Sequence, residues 1–135
     1  MSANKNEYML LFRGNDWHKH LSPEEMQQVG GAWMAWFQDL TAQGKCIGGS
    51  PLEAEGKIVS GNGGRVVVDG PFAESKEAIG GYFTLRVEGI DEAVEIARGC
   101  PGLPHGVRVE VRPVMEQCAA AKMAGQGAEL AGALA

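Results

Sequence analysis

Gly81-Tyr82-Phe83-Thr84-Leu85-Arg86-Val87-Glu88 is the stretch that decides the fold. Its apolar residues fall at every second place: Phe83, Leu85 and Val87 share one face, and Tyr82, Thr84, Arg86 and Glu88 share the other. A period of two sustained over this length is the pattern of a strand with one face against a core. Working outward from it, the other elements fall into place.

Immediately upstream, Asp69-Gly70-Pro71-Phe72-Ala73-Glu74-Ser75-Lys76-Glu77 is polar and turn-rich. Asp-Gly and Gly-Pro mark a turn, and Pro71 fixes one backbone angle. Before it, Glu55 to Ser60 and Arg65 to Asp69 flank Gly61-Asn62-Gly63-Gly64 and read as a hairpin with positive-φ loop residues. Tyr8-Met9-Leu10-Leu11-Phe12 reads as a buried first strand, and Lys45 to Gly49 as a short second one. Val107-Arg108-Val109-Glu110-Val111-Arg112 is the last strand, its valines inward and its charges outward, ended by Pro113.

Two helices separate these strands. Ser22 is an N-cap, Pro23 takes the first helical position, and Glu25 completes a capping box. Met26, Val29, Trp33, Phe37 and Leu40 then recur at three- and four-residue intervals, which predicts a helix over 23–43 closed by Gly44. Gly30-Gly31 weakens it but permits close approach to a sheet or partner. A shorter helix follows, with Asp91 as cap and Ala93, Val94, Ile96 and Ala97 as its apolar contacts, stopped by Gly99-Cys100-Pro101-Gly102.

The order predicts an α+β, ferredoxin-like domain: an antiparallel sheet with two helices on one face and an inserted β-hairpin. Residues 1–7 read as a flexible N-terminus, 8–114 as the domain, and 115–135 as an Ala/Gly-rich extension, a frayed helix or partly disordered. Tyr8, Leu10, Phe12, Val66, Val68, Tyr82 and Thr84 are too apolar for a solvated second face. A partner sheet, or a ligand pocket that it encloses, is the physical remedy, so a homodimer is expected.

At 135 residues and 44% hydrophobic, the chain can bury the core of one domain. The net charge of −5 and scattered Lys and Arg argue against a nucleic-acid surface. No stretch is apolar enough to span a membrane, and Met1 to Glu7 does not read as a secretory signal. Cys46, Cys100 and Cys118 are widely spaced and odd in number, which fits reduced thiols and a cytoplasmic location.

The chain resembles the YCII-related family, in the branch named for its Asp-Gly-Pro-Phe (DGPF) segment. The residues that carry the resemblance are Tyr8 to Leu11, Leu21 to Met26, Gly48-Gly49, Asp69 to Glu77, Gly80 to Phe83 and Val109 to Val114. The resemblance implies a dimeric α+β barrel, related to muconolactone-isomerase and small monooxygenase domains. Some relatives carry a histidine on the first long helix and an aspartate after it, and one type removes chloride from a hydroxylated aromatic. Trp33 falls near that histidine position, and Thr41-Ala42 where the aspartate would be, so the dyad is not carried over.

Asp69, at a strand end, is the first carboxylate with a general-base role in view, against a purely local role in its own turn. His105 is the lone acid–base histidine at the entrance to the last strand. Tyr82 can orient an oxygen atom, Trp33 and Phe72 can line an aromatic pocket with Trp17 and Trp36, and Lys76 can bind an anion. His18 and His20 lack a third well-spaced ligand, so no metal is assigned. No phosphate loop or dinucleotide fingerprint occurs, and no cofactor is called for. The reading is a protein binding a small aromatic or carboxylic ligand in a cavity near the sheet and dimer interface, with acid–base activity open to it. The alternative is a non-catalytic regulatory or structural interaction module.

Overall fold

A computed structural model describes residues 6–14, 17–53, 55–70 and 79–115. Its elements in chain order are β1 (Asn6–Arg13), α1 (Pro23–Ala42), β2 (Cys46–Pro51), β3 (Lys57–Ser60), β4 (Val66–Asp69), β5 (Ile79–Val87), α2 (Ile90–Ala97) and β6 (Arg108–Pro113). Short 3-10 turns at Trp17–His20 and Leu103–His105 precede α1 and β6. β1 already begins at Asn6, inside the segment read as a flexible terminus.

α1 starts where its signals say. Ser22 Oγ accepts from the Glu25 N–H, and the Glu25 carboxylate accepts from the Ser22 N–H, satisfying two orphan donors of the first turn. Hydrogen bonding to the Ser22 backbone holds the Glu25 carboxyl below its ordinary value. α2 starts differently from the expected Asp91 cap: Gly89 is its N-cap, and the Glu92 carboxylate accepts the Glu88 N–H.

Four strands form one antiparallel sheet in the order β2-β5-β1-β6, and β3 and β4 form a separate two-stranded ladder. In register, Tyr8 faces Leu85, Leu10 faces Phe83, and Phe12 faces Gly81. Residues opposite one another in a ladder share a sheet face. Tyr8, Leu10 and Phe12 therefore join Phe83, Leu85 and Val87 on the helix-covered face, in a core completed by Leu40, Ala93, Ala97 and Val107. They do not share the open face with Tyr82 and Thr84 as the sequence reading had it. That face carries Met9 and Leu11 beside Thr84 and Tyr82, edged by ion pairs of Arg13 with Glu110 at 2.7 Å and of Arg86 with Glu7 at 3.0 Å. The Arg13 hydrogen bond is the chief cause that holds the Glu110 carboxyl below its usual value.

The expected dimeric α+β barrel is corrected by this topology. Barrel closure needs every strand paired on both sides, but β2 and β6 each have one neighbour among the described residues. The hairpin does not extend the sheet either. The fold is an α+β arrangement of two helices and an open multi-stranded sheet.

Candidate functional site

Val29 and Leu40 of α1 are buried, while Met26, Gly30, Trp33, Met34 and Phe37 border a cleft of about 490 Å³. Its opposite wall is Phe12 from β1, Gly49, Ser50 and Pro51 from β2, and Gly80, Gly81 and Phe83 from β5. Gly14, with φ of +98°, ends β1 in a conformation that L side chains rarely adopt. Beyond it the 3-10 turn brings Trp17 to the cleft's edge.

Aromatic contacts brace these walls. Phe12 meets Trp33 edge-on with centroids 5.1 Å apart and Phe83 at 4.9 Å, while Phe37 and Phe83 lie 5.0 Å apart. Trp33 is also confined from behind, because a Cβ added at Gly102 would sit 2.7 Å from its Cζ3. Arg13 is the only ionisable residue among the described lining residues, and its Nε is directed to Glu110. The Ser50 side chain belongs to the open sheet face, since Ser50 is opposite Tyr82, so its share of the cleft is backbone. The arrangement can enclose a flat apolar body but offers it little charge.

The residues singled out from the sequence are placed apart. Trp33 lines the cleft. His105 is half-buried with its ring 6.2 Å from that of Trp17, so it adjoins the cleft through one side chain without lining it. Tyr82 lies on the open face, paired with Leu11. Asp69 ends the exposed hairpin and forms an ion pair with Lys57. Asp69, Tyr82 and His105 are not brought together within one chain. Phe72, Lys76, Cys118 and the extension from residue 116 lie outside the described residues. Sequence reasoning missed Met26, Gly30 and Met34 as a lining row, although their i, i+4, i+8 spacing was available.

The fold and cleft define a small α+β domain with an apolar cavity between its long helix and its sheet. The YCII-related domain model matches residues 7–117, and the chain belongs to that family. This corrects the narrower assignment to the Asp-Gly-Pro-Phe branch: the match is to the YCII-related domain as a whole. An uncharacterized protein of Rhizobium meliloti (strain 1021) is 35% identical over 65 residues, 47% of this chain and 52% of that protein. The chain thus spans about half the length of that curated relative. Among solved structures, 5-chloro-2-hydroxyhydroquinone dehydrochlorinase from Burkholderia phenoliruptrix AC1100, in complex with 2,5-dihydroxybenzoquinone, is 18% identical with a TM-score of 0.43, over 81% of this chain and 94% of that one.

Proposed function

We propose that this protein binds a small, flat, uncharged aromatic molecule in the cleft between α1 and the sheet. The observation that carries the reading is the cleft's lining: Trp17, Trp33, Phe12, Phe37 and Phe83 with two methionines, and Arg13 as the one ionisable residue among those described. Ligand sites of this size are mostly apolar with a few polar groups, and aromatic walls favour stacked or edge-on rings. A carboxylate gains less here, because the Arg13 guanidinium already serves Glu110. Acid–base action on the bound ring belongs to the same proposal through His105, which adjoins Trp17. The buried, free thiols of Cys46 and Cys100 support placing this function in the cytoplasm.

Titration of tryptophan fluorescence with neutral phenols and with benzoates, alongside native mass spectrometry, tests the reading. Saturable one-to-one binding of the phenols, lost in Trp33→Ala and kept in Tyr82→Phe, is expected. Benzoates binding as tightly as phenols would overturn the ligand class, and no saturable binding of either would overturn the site.

A second reading, self-association, draws on surfaces away from the cleft. Ile58, Val59, Val66, Val67 and Val68 of the hairpin are exposed, and Met9, Leu11, Tyr82 and Thr84 lie only half-buried on the open sheet face. Apolar surface of this extent is commonly covered in an assembly. Sedimentation velocity across micromolar concentrations tests it, and a monomer throughout would refute it.

A further inference from the structure

Gly30 and Gly31 stand in the middle of α1, where glycine is less favourable than alanine because it loses more backbone freedom on folding. A packing constraint would justify that cost, but a Cβ built at either position meets no atom within 4 Å. Neither glycine is needed for close approach within the described chain. The two differ in what they face. Gly30 borders the cleft, and Gly31 does not. Met26, Gly30 and Met34 form one row at four-residue spacing, the two methionines bordering the cleft on either side of the glycine. A side chain at position 30 would complete that ridge and project into the space the cleft occupies.

We propose that Gly30 is a specificity-determining notch, admitting the second ring of an uncharged two-ring aromatic between Met26 and Met34 while the first ring lies against Trp33. This rests on the reading of the cleft as a ligand site, and it goes further by naming the class: fused bicyclic aromatics in preference to single rings. Methionine suits the flanks of such a notch, since its flexible thioether adapts to a ring edge and makes favourable sulfur–aromatic contacts.

The test compares 2-naphthol with phenol on the full chain and on Gly30→Ala, Gly30→Leu and Gly31→Ala, by tryptophan quenching and calorimetry. The unaltered chain should bind 2-naphthol at least about tenfold tighter than phenol, a gain of the size that the added apolar area gives once buried, and the Gly30 variants read how much of it depends on the notch. Gly30→Ala should weaken 2-naphthol about fivefold and Gly30→Leu abolish it, with phenol affected less than about twofold, as expected when a methyl or larger group fills a shaped space. Gly31→Ala should leave both affinities unchanged. Both alanine variants should melt about 3 °C higher, which shows that lost affinity does not come from a damaged fold. Equal weakening by Gly30→Ala and Gly31→Ala would assign the effect to helix stiffness and overturn the notch. Unchanged 2-naphthol affinity in Gly30→Leu would overturn it while leaving the cleft reading intact. Failure of the unaltered chain to bind either compound would overturn the cleft reading itself, and the notch with it.

Discussion

The indole of Trp17 lies nearly parallel to that of Trp33, their centroids 5.9 Å apart and their planes at 26°. Trp33 is held by the core: Phe12 at 5.1 Å, Trp36 at 6.2 Å, and Gly102 behind it. Trp17 sits on a short 3-10 turn without buried residues. One ring is a fixed wall and the other rests against it.

That asymmetry separates stability from binding. Trp33→Ala should destabilise by about 3 kcal/mol, within the range for truncating a large packed aromatic. Trp17→Ala should cost only about 1 kcal/mol, near the value of an aromatic pair contact, yet lower 2-naphthol affinity more than about tenfold (about 1.4 kcal/mol). Urea denaturation and titration of each variant separate the two quantities.

Gly48 and Gly49 are neighbours with opposite tolerance. A Cβ at Gly48 meets nothing within 4 Å, whereas one at Gly49 would lie 2.5 Å from the Tyr82 carbonyl and 2.8 Å from Phe83 Cδ1. Gly48→Ala should therefore change stability by less than about 0.5 kcal/mol, and Gly49→Ala should cost about 2 kcal/mol. Thermal melts of the two variants check the contrast.

Loss of the Ser22 hydroxyl in Ser22→Ala should cost about 1 kcal/mol, as for other N-caps. Glu25, its partner, has a lowered carboxyl pKa in the fold. Its contribution is therefore present above the ordinary carboxylate value and lost as pH falls through the lowered folded-state value. Glu25→Gln should flatten the acid limb of stability against pH between about 3 and 5.

Burial pushes the Cys100 thiol up to about 11 from an ordinary 9.0. Between those values the unfolded chain gives up a proton that the folded chain retains. Stability from this group is full below pH 9 and falls as pH rises toward 11, by at most about 2 kcal/mol. Urea midpoints from pH 8 to 11 should fall less steeply in Cys100→Ala than in the unaltered chain, because that difference removes the lysine and tyrosine titrations common to both.

Asp69 and Lys57 pair on the hairpin with side chains 80% and 67% exposed. Asp69→Asn should cost less than about 1 kcal/mol, as exposed pairs do. It should leave 2-naphthol affinity unchanged, as measured by the same quenching titration.

Period and capping made much of this fold readable from sequence. Phe83, Leu85 and Val87 mark a strand on their own, and Ser22 with Glu25 marks a helix start, because both signals lie within a few residues. The phase between strands does not. Whether Leu10 sits with Phe83 or with Tyr82 depends on the ladder register, a long-range fact. Barrel closure likewise depends on what lies beside β2 and β6, and their alternation says nothing about that. Trp33 was legible as a helix-face aromatic. Gly30 was not, because a missing side chain has meaning only beside the space it leaves. Asp69 drew notice for its turn chemistry, and its place on a separate hairpin rather than in the cleft lining is again a long-range fact.

The Leu52 N–H donates to the Gly80 carbonyl at 2.8 Å, and Pro51 lies opposite Gly81. These contacts close the ladder at the point where the chain leaves β2 for the hairpin and returns to β5. The β3–β4 hairpin is therefore carried like a graft on a stem, its neck sealed by the host sheet. Because Pro51, Gly80 and Gly81 at the neck also line the cleft, the pairing that seals the neck also sets one edge of the cleft.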